Sequence, residues 1–334
     1  MTKTISDPKP AASREFDNIP ETALAWHRDG RRAALATVIQ TWGSAPRRTG
    51  AQLAISGDGE IEGSVSGGCV EGAVIVEALE ALDAGKAREL EFGVSDDDAF
   101  AVGLACGGTI RVLVEPVGTA LPEALLAELC HARAARKPVA YVVDLDSQER
   151  QLAYDGHESA FRMDRSGFVE ESRTFVAIHN PPLRLLVVGA VHIAQALLPM
   201  ARIAGYDPVL IDPRGAFGSQ ARFPGETILD DWPDEAVTRL GLDTRTALVL
   251  LTHDPKLDDP AIEAALRSKV FYIGALGSGR THAKRVARLS EAGFTEAEIG
   301  LIHGPIGLDI GASGPAEIAV SILAEMTRVL RKGA

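Results

Sequence analysis

The stretch Arg184-Leu185-Leu186-Val187-Val188-Gly189-Ala190-Val191-His192-Ile193-Ala194 decides the fold. Leu185 to Val188 is an unbroken apolar run, the mark of a strand covered on both faces, and Gly189 ends it just where a helical pattern begins. Pro208-Val209-Leu210-Ile211-Asp212 supplies the next strand and closes on an acid, at about the 20-residue distance expected of a dinucleotide-type βαβ unit. In that layout the helix N-terminus at Gly189, Ala190, His192 and Ile193 receives a pyrophosphate, and Asp212 takes ribose hydroxyls. Further strands are expected over 247–252, 270–273 and 300–302, separated by helical patterns. Residues 184–334 therefore read as α/β, a Rossmann-like doubly wound parallel sheet with ligands at the carboxyl ends of its strands.

One departure from the dinucleotide fingerprint weighs against an ordinary nicotinamide pose: Val191 occupies the place of the second glycine, where a β-branched side chain crowds a pyrophosphate. NAD(P) stays open as a cofactor on the strength of Asp212 alone. Other polar groups fall at strand ends: Arg214, Thr252 and His253, then Gly274, Gly277 and Ser278, and finally His303, Gly307 and Asp309. Gly274-Ala275-Leu276-Gly277-Ser278-Gly279-Arg280 is a second anion-compatible turn with its own arginine. His192, His253, His282 and His303 gather toward the same edge, where they suit ligand hydrogen bonding or capping; no H-x-x-x-H or C-x-x-C spacing marks a metal site formed by the protein alone.

Ahead of this half lies a smaller α+β domain, residues 16–180, preceded by an expected flexible tail over 1–15 and closed by the linker-like Ile178-His179-Asn180-Pro181-Pro182. A helix over 16–29 leads into a strand at 33–40, and Gln52–Ile55 with Glu60–Val65 form a hairpin around Gly57-Asp58-Gly59. Gly43, Ser44, Arg47 and Arg48 sit in a loop whose backbone and guanidinium donors suit phosphate or carboxylate. Ser66-Gly67-Gly68-Cys69-Val70-Glu71 places Cys69 before a helical run, where a dipole lowers a thiol's pKa; Cys106-Gly107-Gly108 repeats the pairing of thiol and glycines. These two are the candidate reactive thiols, although small apolar residues in tight turns would look the same. Cys130, among Leu126, Leu129 and Ala132 of a helix over 124–136, is expected to pack in the core. A strand follows at 139–143, Thr109–Val114 is another, and Asp96-Asp97-Asp98 reads as a solvated loop.

The 334 residues are 46% hydrophobic and 24% charged, enough for two domains with their own cores. A net charge of −12, with no stretch dense in Lys or Arg, argues against a nucleic-acid partner. Three cysteines without a framework suit a reducing compartment. No run approaches the ~18 apolar residues of a membrane span and the N-terminus lacks an apolar signal core, so a cytoplasmic location is expected.

Taken together the motifs resemble the XdhC/CoxI family of xanthine dehydrogenase and carbon monoxide dehydrogenase accessory proteins. The resemblance rests on Gly43-Ser44-Ala45-Pro46-Arg47, Gly63-Ser64-Val65-Ser66-Gly67-Gly68-Cys69-Val70-Glu71 and Cys106-Gly107-Gly108, and then on Asp212-Pro213-Arg214, Arg222-Phe223-Pro224, Thr252-His253-Asp254, Tyr272–Ser278 and His303–Gly311. It implies a chaperone, more a carrier than an enzyme, that binds molybdenum cofactor as molybdopterin or its cytosine dinucleotide form. Such a protein supports sulfuration of the cofactor with a cysteine desulfurase and delivers it to an apo molybdenum hydroxylase. On this reading Gly67 and Gly68 allow close approach, and Cys69 and Cys106 contact or guard the molybdenum. Two alternatives remain open: an NAD(P)-dependent oxidoreductase, and an assembly factor that grips the apo-hydroxylase without touching cofactor. Assembly as a homodimer is also open.

Overall fold

The computed structural model describes residues 18–43, 47–93 and 108–333. The tail expected over 1–15, Ser44, the acidic loop at 96–98, Cys106 and Gly107 lie outside the described residues. The chain divides between Pro181 and Pro182 into two compact units.

The first unit runs α1 (Ile19–Arg28), β1 (Ala33–Gly43), β2 (Gln52–Ser56), β3 (Ile61–Gly63), α2 (Glu71–Ala84), β4 (Arg88–Gly93), β5 (Gly108–Pro116), α3 (Glu123–Ala134), β6 (Val139–Asp144), β7 (Arg150–Ala153), α4 (Glu158–Met163), β8 (Gly167–Phe168) and β9 (Thr174–His179). Two antiparallel sheets form, ordered β3-β2-β1-β5-β4 and β7-β6-β9-β8. The period-two alternation of β1 and β5 covers both faces of the larger sheet. Ala34, Ala36, Val38, Val112 and Val114 meet Val74, Ala78 and Ala81 of α2. Leu35, Ile39 and Leu113 pack with Ala23 and Trp26 of α1, Leu126 and Leu129 of α3, and Tyr141 and Phe175 of the smaller sheet.

The second unit continues with β10 (Leu183–Val188), α5 (His192–Ile203), β11 (Tyr206–Ile211), β12 (Thr227–Leu229), α6 (Pro233–Leu240), β13 (Thr246–Leu250), α7 (Pro255–Leu266), β14 (Tyr272–Ala275), α8 (Gly279–Glu291), α9 (Glu296–Ile299), β15 (Ile302–His303) and α10 (Pro315–Lys332). Its six strands are all parallel in the order β12-β11-β10-β13-β14-β15. The order reverses direction at β10, so the switch point lies between β10 and β13. Along β10, Leu185 and Val187 join Leu197 of α5 and Met326 of α10 on one face, whereas Leu186 and Val188 join Val237 of α6 and Ile262 of α7 on the other. This is an α/β, doubly wound parallel sheet preceded by an α+β unit; the latter, Pro10–Pro181, is not the smaller one that the sequence suggests, because strands β7 and β8 and helix α4 extend it before Pro182. Among the described residues no helix is long and apolar enough to cross a membrane.

Candidate functional site

Strand pairing collects the glycine motifs of the first unit at one end of the larger sheet. Gly43 ends β1 opposite Gly108 of β5, Gly93 of β4 lies opposite Thr109, and Gly63 ends β3 opposite Leu53 near the start of β2. From Gly63 the chain turns through Ser64–Val70 into α2. That turn is organised by a carboxylate, Glu71, the first residue of the helix and a buried one. Its oxygens accept from the Ser64 hydroxyl at 2.7 Å and from the amides of Val65 at 3.2 Å, Ser66 at 2.9 Å and Gly68 at 2.9 Å. The Ser66 hydroxyl also donates to it. Ser66 Oγ in turn accepts from the Cys69 amide at 3.0 Å and the Val70 amide at 2.9 Å, and Ser64 Oγ from the Gly67 amide at 2.8 Å. Burial would push the Glu71 carboxyl up, but donors from Ser66 and Ser64 override it and hold it at about 2. Gly67 and Gly68 adopt φ of 78° and 112°, conformations a side chain would strain, which is why the turn is built on paired glycines.

The amides that the sequence offers to an anion at this turn are therefore taken up largely by the chain's own Glu71. What the turn leaves outward is the Cys69 thiol, which is exposed, and a cation, Arg47, whose Nε donates to the Ser64 carbonyl at 3.2 Å. No acid pairs with Arg47 or with the exposed Arg48 among the described residues. Cys130 is half-buried against the core, and burial, reinforced by Glu21, pushes its thiol up to about 12.

In the second unit the first βα turn is likewise occupied by its own neighbours. The Ala190 amide donates to Asp212 at 2.8 Å, the Val191 amide to the Gly189 carbonyl at 2.9 Å, and Arg222 donates to the Ala190 carbonyl at 3.0 Å. Gly189 is small because Thr252 is close: a Cβ there would stand 2.7 Å from Thr252 Cγ2. Asp212 is buried and accepts from Arg214 through Nε at 2.9 Å, Nη2 at 2.8 Å and the amide at 3.0 Å. Burial would raise its carboxyl, but Arg214 and the Ala190 amide hold it below the ordinary range. Asp212 thus serves Arg214, which lies across the exposed Phe217 ring at 4.4 Å. His192 begins α5 exposed, whereas Ile193 is buried in the core.

The other predicted residues separate into a surface set and a buried network. His253 is exposed with φ 61°, a left-handed conformation uncommon outside glycine. Thr252 accepts from the Asp254 amide and donates to the buried Asp258 at 2.6 Å. Ser278 caps α8, and Asp309 is exposed. His303 stacks on Tyr272 at 4.7 Å and places Nδ1 3.4 Å from Glu325, which also accepts from Tyr272 at 2.7 Å and from the Gly307 amide at 2.8 Å. Gly274 leaves room for Ile306 and Tyr272. Sequence reasoning missed Glu325, Asp258 and Arg285: each lies inside a helix with no local pattern to mark it. Among the described residues no three His, Cys, Asp or Glu side chains are placed to hold a metal ion.

Relatives of known description match nearly the whole chain. The chain is 34% identical to an Escherichia coli protein named molybdenum cofactor insertion chaperone PaoD, over 90% of this chain and 84% of that protein. It is 27% identical to a Bacillus subtilis protein whose name makes it a probable component of xanthine dehydrogenase, over 91% of this chain and 95% of the other. A crystal structure described as a xanthine dehydrogenase from Bacillus halodurans matches with a TM-score of 0.63 at 27% identity, covering 94% of this chain and 96% of that one. The profile of the XdhC Rossmann domain matches residues 185–326, the parallel-sheet unit, and that of the XdhC and CoxI family matches residues 26–93, which carry the Glu71 turn and Cys69. With both halves matched and the PaoD likeness running through nearly the whole chain, this protein belongs to the XdhC and CoxI family.

Proposed function

We propose that this protein is a chaperone for molybdenum cofactor that holds the cofactor while its terminal sulfur is installed with a cysteine desulfurase, and delivers it to an apo hydroxylase of the xanthine dehydrogenase type. The observation that carries the reading is the juxtaposition at the end of the first unit's larger sheet: an exposed Cys69 thiol on a turn fixed by Glu71, with Arg47 fastened to the same turn. A molybdenum centre bound there would supply the metal that accepts sulfur. The donor set fits such a group, since a soft thiol suits a thiolate-bound metal and a guanidinium with no acid partner among the described residues suits a phosphate oxygen. Arg47 and Arg48 would orient the anionic end, Cys69 would face the metal end, and the Glu71 network would keep the thiol from collapsing onto the protein. The name of the PaoD relative supports the same reading. The second unit argues for a different use of its fold than nicotinamide chemistry, because the Ala190 and Val191 amides of its first turn and both oxygens of Asp212 already have protein partners.

The test is to purify the full chain from cells that make the cofactor and identify the co-purifying ligand by mass spectrometry. A pterin with molybdenum, recovered from the wild type and reduced in Cys69→Ser and Arg47→Gln, is the expected result. Recovery of no pterin from any preparation, with the apo-hydroxylase still captured, would replace the reading by that of a cofactor-free assembly factor.

A further inference from the structure

Helix α8 breaks a rule that helix α2 keeps. A helix N-terminus carries partial positive charge, so acids belong in its first turn and bases do not. Helix α2 obeys by placing Glu71 there. Helix α8 has no acid in its first turn, and its first two turns instead carry Arg280, His282, Lys284 and Arg285. Arg280 and Lys284 are exposed, and neither has an ion-pair partner among the described residues. Local rules broken without compensation inside the protein concentrate at functional positions.

Beneath this turn lies a buried charge whose hydrogen-bonding capacity is mostly unused. Arg285 is 2% exposed, and its Nη2 reaches the Leu276 carbonyl of the turn at 3.1 Å. Its Nε and Nη1 are buried without a hydrogen-bond partner, as is Nδ1 of His282 one turn earlier. The ion-pair partner of Arg285, Asp258, stands 3.9 Å away, beyond hydrogen-bond distance, and spends its other oxygen on Thr252. Asp259 is no substitute, being engaged by both Nε and Nη2 of Arg288. Helical bonding starts with the His282 amide donating to the Ser278 carbonyl, so the amides of Gly279 and Arg280 precede it, and a Cβ at Gly279 would meet nothing within 4 Å.

We propose that the Leu276-Gly277-Ser278-Gly279-Arg280 turn, with Arg285 beneath it, binds a phosphate group. The amides of Gly279 and Arg280 and the Arg280 guanidinium contact the oxygens, and Arg285 supplies positive charge from below in a poorly hydrated setting. The site is not the usual one at the first βα turn, where the Ala190 and Val191 amides are already bonded; it lies two strands away along the same carboxyl edge. Identifying the phosphate as that of the pterin cofactor or its nucleotide rests on the function proposed above, but the site itself does not.

Pyrophosphate titrated calorimetrically into the full chain at low ionic strength tests this, with inorganic phosphate and cytidine diphosphate run beside it to separate a monoester from a nucleotide diphosphate. The deciding variant is Arg280→Glu, which puts an acid where the helix dipole favours one. Its melting temperature is expected to equal or exceed that of the wild type, while pyrophosphate affinity falls at least about tenfold and the thermal stabilisation by pyrophosphate disappears. Arg285→Met is expected to weaken binding similarly; if it does not fold, Arg280→Glu decides alone. Unchanged affinity in Arg280→Glu overturns the proposal, as does absence of binding to the wild type. Loss of binding in Arg47→Gln but not in Arg280→Glu would also overturn it while leaving the chaperone reading intact. Conversely, binding lost in Arg280→Glu by a protein that never co-purifies pterin would keep the site and discard that reading.

Discussion

Replacing Glu71 by glutamine removes one charge and leaves the shape of the side chain, so the effect isolates what the carboxylate does for the Cys69 turn. Five donors converge on it: three amides and the hydroxyls of Ser64 and Ser66. Glutamine can accept with only one of its two termini, and its NH2 would face donors. A shift from the ordinary 4.5 to about 2 corresponds to about 3 kcal/mol of preference for the charged form. The turn borders solvent, so screening trims this, and a loss of about 2 kcal/mol is expected for Glu71→Gln at neutral pH. The sign with pH follows from the lowered value. The stabilisation is fully present above 4.5 and is lost as the pH falls toward 2, with less than about half remaining at pH 3. Wild type and variant should therefore converge in acid. Urea unfolding at pH 7 and pH 3, read with amide exchange over residues 64–72, measures the gap and locates it. A gap of the same size at both pH values, or slow exchange of the Ser66 and Gly68 amides in the variant, would refute the role given to the charge.

Three further outcomes follow from the same structure. Iodoacetamide at mild alkaline pH is expected to label exposed Cys69 at least about tenfold faster than Cys130, whose thiol burial holds near 12; peptide mass spectrometry gives the rates, and a faster Cys130 would contradict the packing described. Gly72→Ala and Gly68→Ala are expected to act in opposite directions although both sites are open. Alanine gains roughly 0.5–1 kcal/mol inside α2 at position 72 but costs about 1–2 kcal/mol at the positive φ of position 68, as denaturant midpoints would show. A fragment of residues 182–334 is expected to melt cooperatively by itself, because the parallel sheet and both of its helical layers fall within it; a fragment without a circular-dichroism transition would count against that.

The strands that sequence reading placed well are those covered on both faces. The apolar runs of β10, β11 and β13 announce themselves because every residue is inside, and β1 and β2 do so for the same reason. The stretch between Asp144 and Thr174 was opaque. Its strands β7 and β8 are short and only partly covered, so their side chains carry neither a continuous apolar run nor a clean alternation. Strand β4 was missed as well. Arg88, Glu89 and Glu91 look like a solvated turn until Arg88 is seen bridging to Glu77 and Glu80 of α2, and Glu89 to Arg111 and Arg173.

The candidate site was legible in residue type and much less so in use. A glycine before a helix reads identically whether a ligand or the protein's own side chain takes the space, and only three-dimensional neighbours separate the two. Gly189 makes room for Thr252, Gly274 for Tyr272 and Ile306, and Gly307 for Ser321, so these motif glycines serve close packing along the carboxyl edge. Acids carry the same ambiguity: Asp212 stands where a ribose acceptor belongs and is spent on Arg214, while Glu71, between Cys69 and a helix, closes the amides that its neighbouring glycines expose. An anion needs a turn that the protein has left open and has charged against its own dipole. Of the three glycine turns that open helices α2, α5 and α8, the first is filled by Glu71, and in the second the Ala190 amide is held by Asp212 and the Ala190 carbonyl by Arg222. The third has no acid in its first turn and carries the exposed Arg280 above the buried Arg285, so α8 offers positive charge that its own first turn does not offset.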